Sequence, residues 1–287
     1  MSGIERVGVV GAGLMGSGIA EVCARAGIDV RVNEVDAGAL EQGRRRIEHS
    51  LDRGVRAGKL SQEDRDAAAG RIAYTTDLGD FADRDLVVEA VAEIEPVKVE
   101  IFGKLDKVVE APDAIFASNT SSIPIMKLAM ATSRPAQVIG VHFFNPAPVL
   151  KLVEIIPSLL SADETRARVE EFATDRLGKT VVRSQDRAGF VVNALLIPYL
   201  LSAIRMLESG FASADDIDNG MVLGANHPMG PLRLIDLIGL DTTKSVAESM
   251  YSEFKEPLYS PPPLLLRMVD AGLLGKKSGR GFYEYNR

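Results

Sequence analysis

The sequence predicts an α/β fold, in which a mostly parallel sheet carrying a helical hairpin insertion is followed by an all-α C-terminal domain. Three observations lead there. Short apolar runs alternate with helix-length segments as far as Ile156. The first of these runs ends in Gly11-Ala-Gly13-Leu-Met-Gly16, a glycine spacing suited to a strand, a tight turn and a helix. After about Ser184 the alternation stops, and helix-length apolar segments follow without further strands. With 287 residues, 46% of them hydrophobic, the chain has room for two cores, and the division is expected at 1–185 and 186–287.

Composition narrows the function. The net charge of -7, with no basic run beyond Arg44-Arg45-Arg46, leaves no electrostatic footprint for nucleic acid. A single cysteine, Cys23, allows no intramolecular disulfide, and with only three histidines no metal site is expected. The N-terminus lacks the pattern of a secretory leader. The most apolar later stretch, Phe190 to Ile204, contains Asn193, Pro198 and Ser202 and falls short of the roughly 20 residues that span a bilayer. A cytoplasmic protein with no membrane partner is the expectation.

Taken in order, Ile4 to Val10 is the first strand. Gly11 and Gly13 permit a tight turn and close approach of a pyrophosphate to backbone N–H groups, and Gly16 lets helix and strand pack closely. Ala12, Leu14 and Met15 complete this loop. The second strand, Ile28 to Val32, leads into Asn33-Glu34-Val35-Asp36, which places an acid 18 residues beyond Gly16. A carboxylate there holds a ribose 2′-hydroxyl and repels a 2′-phosphate, so a Rossmann-like domain with Glu34 selecting NAD over NADP is expected.

Residues 37–70 suit a helical hairpin, with a break at Gly58 and Ser61 as the N-cap of its second helix, Asp64 standing at the capping-box position. Its interspersed arginines and acids read most simply as a solvated face; alternatively, the hairpin reaches over the site and offers cations to an anionic substrate. Strands at Arg71 to Thr75 and Leu86 to Val91, a helix from about Pro96 to Val109 and a strand at Ala114 to Ala117 follow. That last strand runs into Ser118-Asn119-Thr120-Ser121-Ser122, where ligands of open α/β sheets bind. One of these five is also expected to cap the helix that begins near Pro124.

The final two sheet strands are expected at Val138 to Phe144 and Leu150 to Ile156, antiparallel about a turn near Pro148. His142 and Glu154 then lie opposite one another, six residues from that centre on either side. A carboxylate among Leu152, Val153, Ile155 and Ile156 needs a partner if buried, and a carboxylate-oriented imidazole is a general base. The same residues also allow a core histidine and a strand-end glutamate that meet water or backbone separately. Helices are expected at Phe190 to Glu208, Ala214 to Leu223, Pro231 to Ile238 and Thr242 to Phe254. Asn193, an amide in an apolar run, serves either a structural bond or a substrate contact. The tail Gly275-Lys-Lys-Ser-Gly-Arg-Gly281 approaches phosphates or simply turns.

Together these motifs strongly resemble the L-3-hydroxyacyl-CoA dehydrogenase family, especially its bacterial 3-hydroxybutyryl-CoA members. The resemblance covers essentially the whole chain: Gly-Ala-Gly-Leu-Met-Gly at 11–16, Ser-Asn-Thr-Ser-Ser at 118–122, His-Phe-Phe-Asn-Pro at 142–146 and Lys-Leu-Val-Glu at 151–154. It continues with Gly-Phe-Val-Val-Asn at 189–193, Pro-Met-Gly-Pro at 228–231, Gly-Leu-Asp-Thr-Thr at 239–243 and Gly-Lys-Lys at 275–277. The resemblance implies NAD acting with an acyl-CoA substrate, with His142 as base, Glu154 as its partner, and Ser121 and Asn193 around the substrate oxygen and nicotinamide; the apolar helices of the C-terminal domain suggest a homodimer through residues 190–287. By the same token Glu34, Glu93, Lys98, Asn145 and Lys277 surround the dinucleotide, and Ser50 meets coenzyme A. Relatives carry a basic residue where this chain has Ala57, so Arg56 or Lys59 is expected to substitute. Two other outcomes remain open at this stage: a sugar-acid dehydrogenase built on the same constellation, and a dinucleotide-binding protein without turnover.

Overall fold

A computed structural model of the chain describes residues 3–285. The chain forms two compact units, one ending at Arg187 and the other beginning at Ala188.

The first unit is built on eight strands: β1 (Arg6–Val10), β2 (Asp29–Asn33), β3 (Ile72–Thr75), β4 (Leu86–Glu89), β5 (Ile115–Ser118), β6 (Val138–Phe143), β7 (Leu152–Pro157) and β8 (Thr180–Arg183). Their order is β3-β2-β1-β4-β5-β6-β7-β8. The first six run parallel, and β7 pairs antiparallel with β6. β4, β5 and β6 are buried along their whole length, which is why they read as unbroken apolar runs. Strand order reverses between β1 and β4, so the loops after β1, β4 and β5 open side by side at the carboxyl edge of the sheet. That edge is where ligands of such sheets bind.

Helices α1 (Leu14–Arg25), α2 (Ala37–Arg56), α3 (Gln62–Gly70), α4 (Glu95–Val108), α5 (Ile125–Ala129) and α6 (Asp163–Glu171) complete the unit. The hairpin is α2 and α3. Gly43, Ile47 and Leu51 form the buried stripe of α2, while Arg44–Glu48 and Arg45–Glu41 pairs at 3.0 and 2.9 Å lie on its solvated side. Ser61 Oγ accepts the Asp64 N–H at 3.0 Å and so caps α3.

Two features of this unit differ from the sequence reading. β8 extends the sheet beyond β7, with which it pairs in parallel. It is four residues long, only half-buried, and contributes just Val181 and Val182 between a threonine and an arginine, so its periodicity is weak. The N-terminus of α5 is capped by none of residues 118–122. Asp186 does so, its two carboxylate oxygens accepting the N–H groups of Ile125 and Met126 at 2.7 and 2.8 Å.

The second unit contains α7 (Val192–Glu208), α8 (Ala214–Asn219), α9 (Pro231–Ile238), α10 (Leu240–Phe254) and α11 (Pro263–Asp270). Leu200, Leu201, Ile204, Leu232, Ile235, Leu240, Met250 and Leu265 form its core. The sequence reading lacks α11, whose eight residues follow three consecutive prolines, the last at its first position. α8 ends at Asn219 and passes into a wider turn at Gly220–Gly224. Asp236 of α9 fastens the C-terminal segment: its carboxylate accepts the N–H groups of Phe282 and Tyr283, both at 2.9 Å, and the Tyr285 hydroxyl at 3.0 Å. Among the described residues no helix is long and apolar enough to cross a membrane.

Candidate active site

The glycine turn after β1 has the geometry its spacing demands. Gly11 has φ +94°, open to residues without a Cβ, and a Cβ there would meet the Ala90 carbonyl oxygen at 2.8 Å. A Cβ on Gly16 would lie 1.8 Å from the Gly11 carbonyl oxygen. Gly13 has nothing within 4 Å of its notional Cβ, which leaves room for a ligand against the backbone. Gly13 is also the N-cap of α1, with no side-chain cap and no acid in the first turn. The first amides of α1 therefore suit a phosphate.

Glu34, just past β2, turns back to this loop. Its Oε1 accepts the Ala12 N–H at 2.7 Å and its Oε2 accepts the Val35 N–H at 3.1 Å. The carboxylate thus sits beside the glycine turn, where a ribose would meet it. The hairpin braces the same loop, since Arg46 Nη1 donates to the Ala12 carbonyl at 3.0 Å and Ser17 Oγ donates to it at 2.8 Å. Such a cleft, with an amide-lined helix end and an acid beyond it, fits a dinucleotide.

Three of the predicted residues meet further along the same sheet edge. Antiparallel register sets His142 opposite Glu154. His142 Nδ1 lies 2.8 Å from Glu154 Oε2, and His142 Nε2 lies 3.0 Å from Ser121 Oγ. The Glu154 side chain is fully buried and that of His142 is 6% exposed. A carboxylate only accepts, so the Nδ1 proton points to Glu154 and the Nε2 lone pair faces Ser121. This is the tautomer that a general base would need. The Asn119 amide oxygen accepts the Phe143 N–H at 2.8 Å and joins the end of β5 to β6.

Glu93, in the loop after β4, gathers the hydroxyl turn. Its Oε1 accepts the Ser121 N–H at 2.9 Å, the Ser122 hydroxyl at 3.3 Å and the Thr120 hydroxyl. Its Oε2 lies 3.2 Å from Lys98 Nζ. Lys98 is only 1% exposed and also donates to Glu89 Oε1 at 2.6 Å, so it bears on the site through Glu93. Glu89 is absent from the sequence reading. Its signal was an acid at the carboxyl end of an otherwise apolar strand.

The remaining candidates are more dispersed. Asn145 is exposed in the turn after β6 and joins Ser50 in lining a pocket of about 150 Å³ between α1, α2 and that turn. Glu21, Arg46, His49 and Arg53 also line it; Arg56 and Lys59 do not. The three basic residues share one face of α2 with Ser50, a three- and four-residue spacing visible in sequence but indistinguishable there from the solvated face. Asn193 occupies the first turn of α7, partly exposed, and Lys277 forms an ion pair with Asp241 at 2.6 Å; both belong to the second unit. Among the described residues no cluster of His, Cys, Asp and Glu could hold a metal ion.

Comparison with known proteins adds the decisive observation. Residues 6–187 match the 3-hydroxyacyl-CoA dehydrogenase NAD binding domain, and residues 189–285 match the C-terminal domain of the same family. The chain is a member of the 3-hydroxyacyl-CoA dehydrogenase family. It is thus an NAD-dependent oxidoreductase, and its first unit contains the family's NAD-binding domain. Similar family members include a Mycobacterium tuberculosis 3-hydroxybutyryl-CoA dehydrogenase, 63% identical over 98% of this chain and 99% of that one. The human mitochondrial hydroxyacyl-coenzyme A dehydrogenase is 42% identical over 98% of this chain and 91% of its own. The crystal structure of the Ralstonia eutropha (S)-3-hydroxybutyryl-CoA dehydrogenase superposes with a TM-score of 0.93 at 45% identity, covering 99% of this chain and all of that one.

Proposed function

We propose that the protein interconverts (S)-3-hydroxyacyl-CoA and 3-ketoacyl-CoA with NAD, and that its substrates are the short-chain pair 3-hydroxybutyryl-CoA and acetoacetyl-CoA. The line Ser121 Oγ, His142 Nε2, Glu154 Oε2 carries this reading. His142 Nε2 removes the 3-hydroxyl proton, and the buried Glu154 carboxylate stabilises the imidazolium that results. In the reverse direction the imidazolium returns that proton to the 3-keto oxygen. Hydride exchange at C3, the redox step, is the chemistry that bound NAD would supply. Ser121 holds the 3-oxygen where charge develops. Glu34 engages the adenosine ribose and disfavours a 2′-phosphate.

Coenzyme A is assigned to the Ser50 side of the hairpin. Ala57 supplies no charge, and the cationic side chains that line the Ser50 pocket are Arg46 and Arg53. Charge-assisted contacts contribute about 1.5–3 kcal/mol each, so Arg53→Ala is expected to raise the KM for acetoacetyl-CoA roughly tenfold. An unchanged KM would move the phosphate contact back to Arg56 or Lys59. A cytoplasmic homodimer through residues 190–287 completes the proposal. Leu195, Phe211, Leu223 and Leu237 are large exposed apolar side chains on that unit, and a monomer by light scattering would refute the dimer.

The test of the activity is NADH oxidation with acetoacetyl-CoA, run beside NADPH and beside a longer 3-ketoacyl-CoA. Rapid turnover with NADH and the short substrate is the expected result. Measurable NADH binding with no turnover of any acyl-CoA would overturn the substrate class.

A further inference from the structure

We infer that Glu89 is a positioning residue, which through Lys98 and Glu93 sets the place where the Ser121 hydroxyl meets His142. The inference rests on the proposed role of His142 and Ser121 in turnover. Glu89 is the last residue of β4 and is fully buried. A carboxylate in that position is costly unless its oxygens are satisfied. Oε1 accepts Lys98 Nζ at 2.6 Å and the Val91 N–H at 2.7 Å, and Oε2 accepts the Ser118 hydroxyl at 2.7 Å. All three donors border the loops that form the site.

Lys98 is the shared member. One buried ammonium lies between two carboxylates, Glu89 beneath it and Glu93 at 3.2 Å on the site side. Because Glu89 satisfies most of its charge, the Glu93 carboxylate keeps Oε1 for the Ser121 N–H and the neighbouring hydroxyls. Ser121 Oγ then stands 3.0 Å from His142 Nε2. With a neutral residue at 89, Lys98 has one anion left, and the low dielectric around it strengthens that pull. Glu93 rotates onto the ammonium, its hold on the Ser121 backbone loosens, and the hydroxyl drifts from the ring. A purely structural Glu89 would keep the charge balance of the core without reference to Ser121.

A double-mutant cycle separates the two. Glu89→Gln is expected to lower kcat for acetoacetyl-CoA reduction about tenfold in the wild-type background and by less than about twofold in Ser121→Ala, because groups acting through one network are not additive. Equal losses in both backgrounds, or an unchanged kcat in Glu89→Gln, would overturn the proposal. If Glu89→Gln does not fold, Glu89→Asp retains the charge, withdraws it from Lys98, and is read through the same cycle. A readout independent of turnover is the NMR shift of His142 Nε2, which Glu89→Gln should move toward its value in Ser121→Ala; a shift that stays at the wild-type value refutes the positioning role. Wild-type protein inert toward acyl-CoA would instead defeat the functional reading and leave this NMR comparison to decide the role of Glu89.

Discussion

Replacing His142 by Gln is expected to lower kcat for acetoacetyl-CoA reduction by about 10²- to 10⁴-fold, the usual contribution of a positioned general acid or base, with less than about a twofold change in the Kd for NADH. The substitution isolates the group proposed to exchange the proton. A glutamine amide can still donate to Glu154 Oε2, so the fully buried carboxylate keeps a hydrogen bond from position 142. The side chain also approximates the reach of the ring toward Ser121. What disappears is the Nε2 lone pair, which in the wild type stands 3.0 Å from Ser121 Oγ. Steady-state kinetics together with NADH titration give both numbers. Turnover that survives would remove His142 from the chemistry, and NADH binding lost in parallel with turnover would make it a structural residue.

Gly16→Ala is expected to weaken NADH binding by about 10- to 100-fold and to lower Tm, because overpacking of this kind costs about 1–3 kcal/mol and each 1.4 kcal/mol is tenfold in affinity. The added Cβ would lie 1.8 Å from the Gly11 carbonyl oxygen and 2.9 Å from its carbon. Both are backbone atoms that no rotamer change can move aside. α1 must therefore back away from the turn, which displaces the amides meant for the pyrophosphate. Gly13→Ala is the informative contrast. Nothing lies within 4 Å of its Cβ position, so Tm should hold while NADH binding weakens, because the methyl group fills space that the cofactor would occupy. A calorimetric melt beside an NADH titration distinguishes the variants, and a Gly16→Ala protein that binds NADH as the wild type does would show that the turn yields without consequence.

The parts of the site that could be read in the sequence are those governed by local rules. The glycine spacing dictates a strand, turn and helix because Gly11 needs a positive φ and Gly16 has no room for a Cβ. The opposition of His142 and Glu154 follows from the two-residue period of strands and one turn centre near Pro148. Ser61 and Asp64 lie three residues apart, and so their cap was visible too. β8 and α11 escaped because four half-buried residues and eight residues after a proline run carry little periodic signal.

The unread parts are long-range polar contacts, for which a linear pattern has no signature. Asp186 caps a helix that starts 61 residues earlier in the chain. Glu34 bonds the Ala12 amide across the crossover between β1 and β2. Lys98, which only the family resemblance singled out, faces two carboxylates from a buried position. Sequence alone therefore determined the alternation of elements, the glycine turn and the registration of His142 with Glu154, since each depends on backbone sterics and side-chain period over a few residues. Tertiary structure decided which charges are buried and what they hold, because a buried carboxylate or ammonium takes whichever partner the packing brings within hydrogen-bond reach, however distant that partner is along the chain.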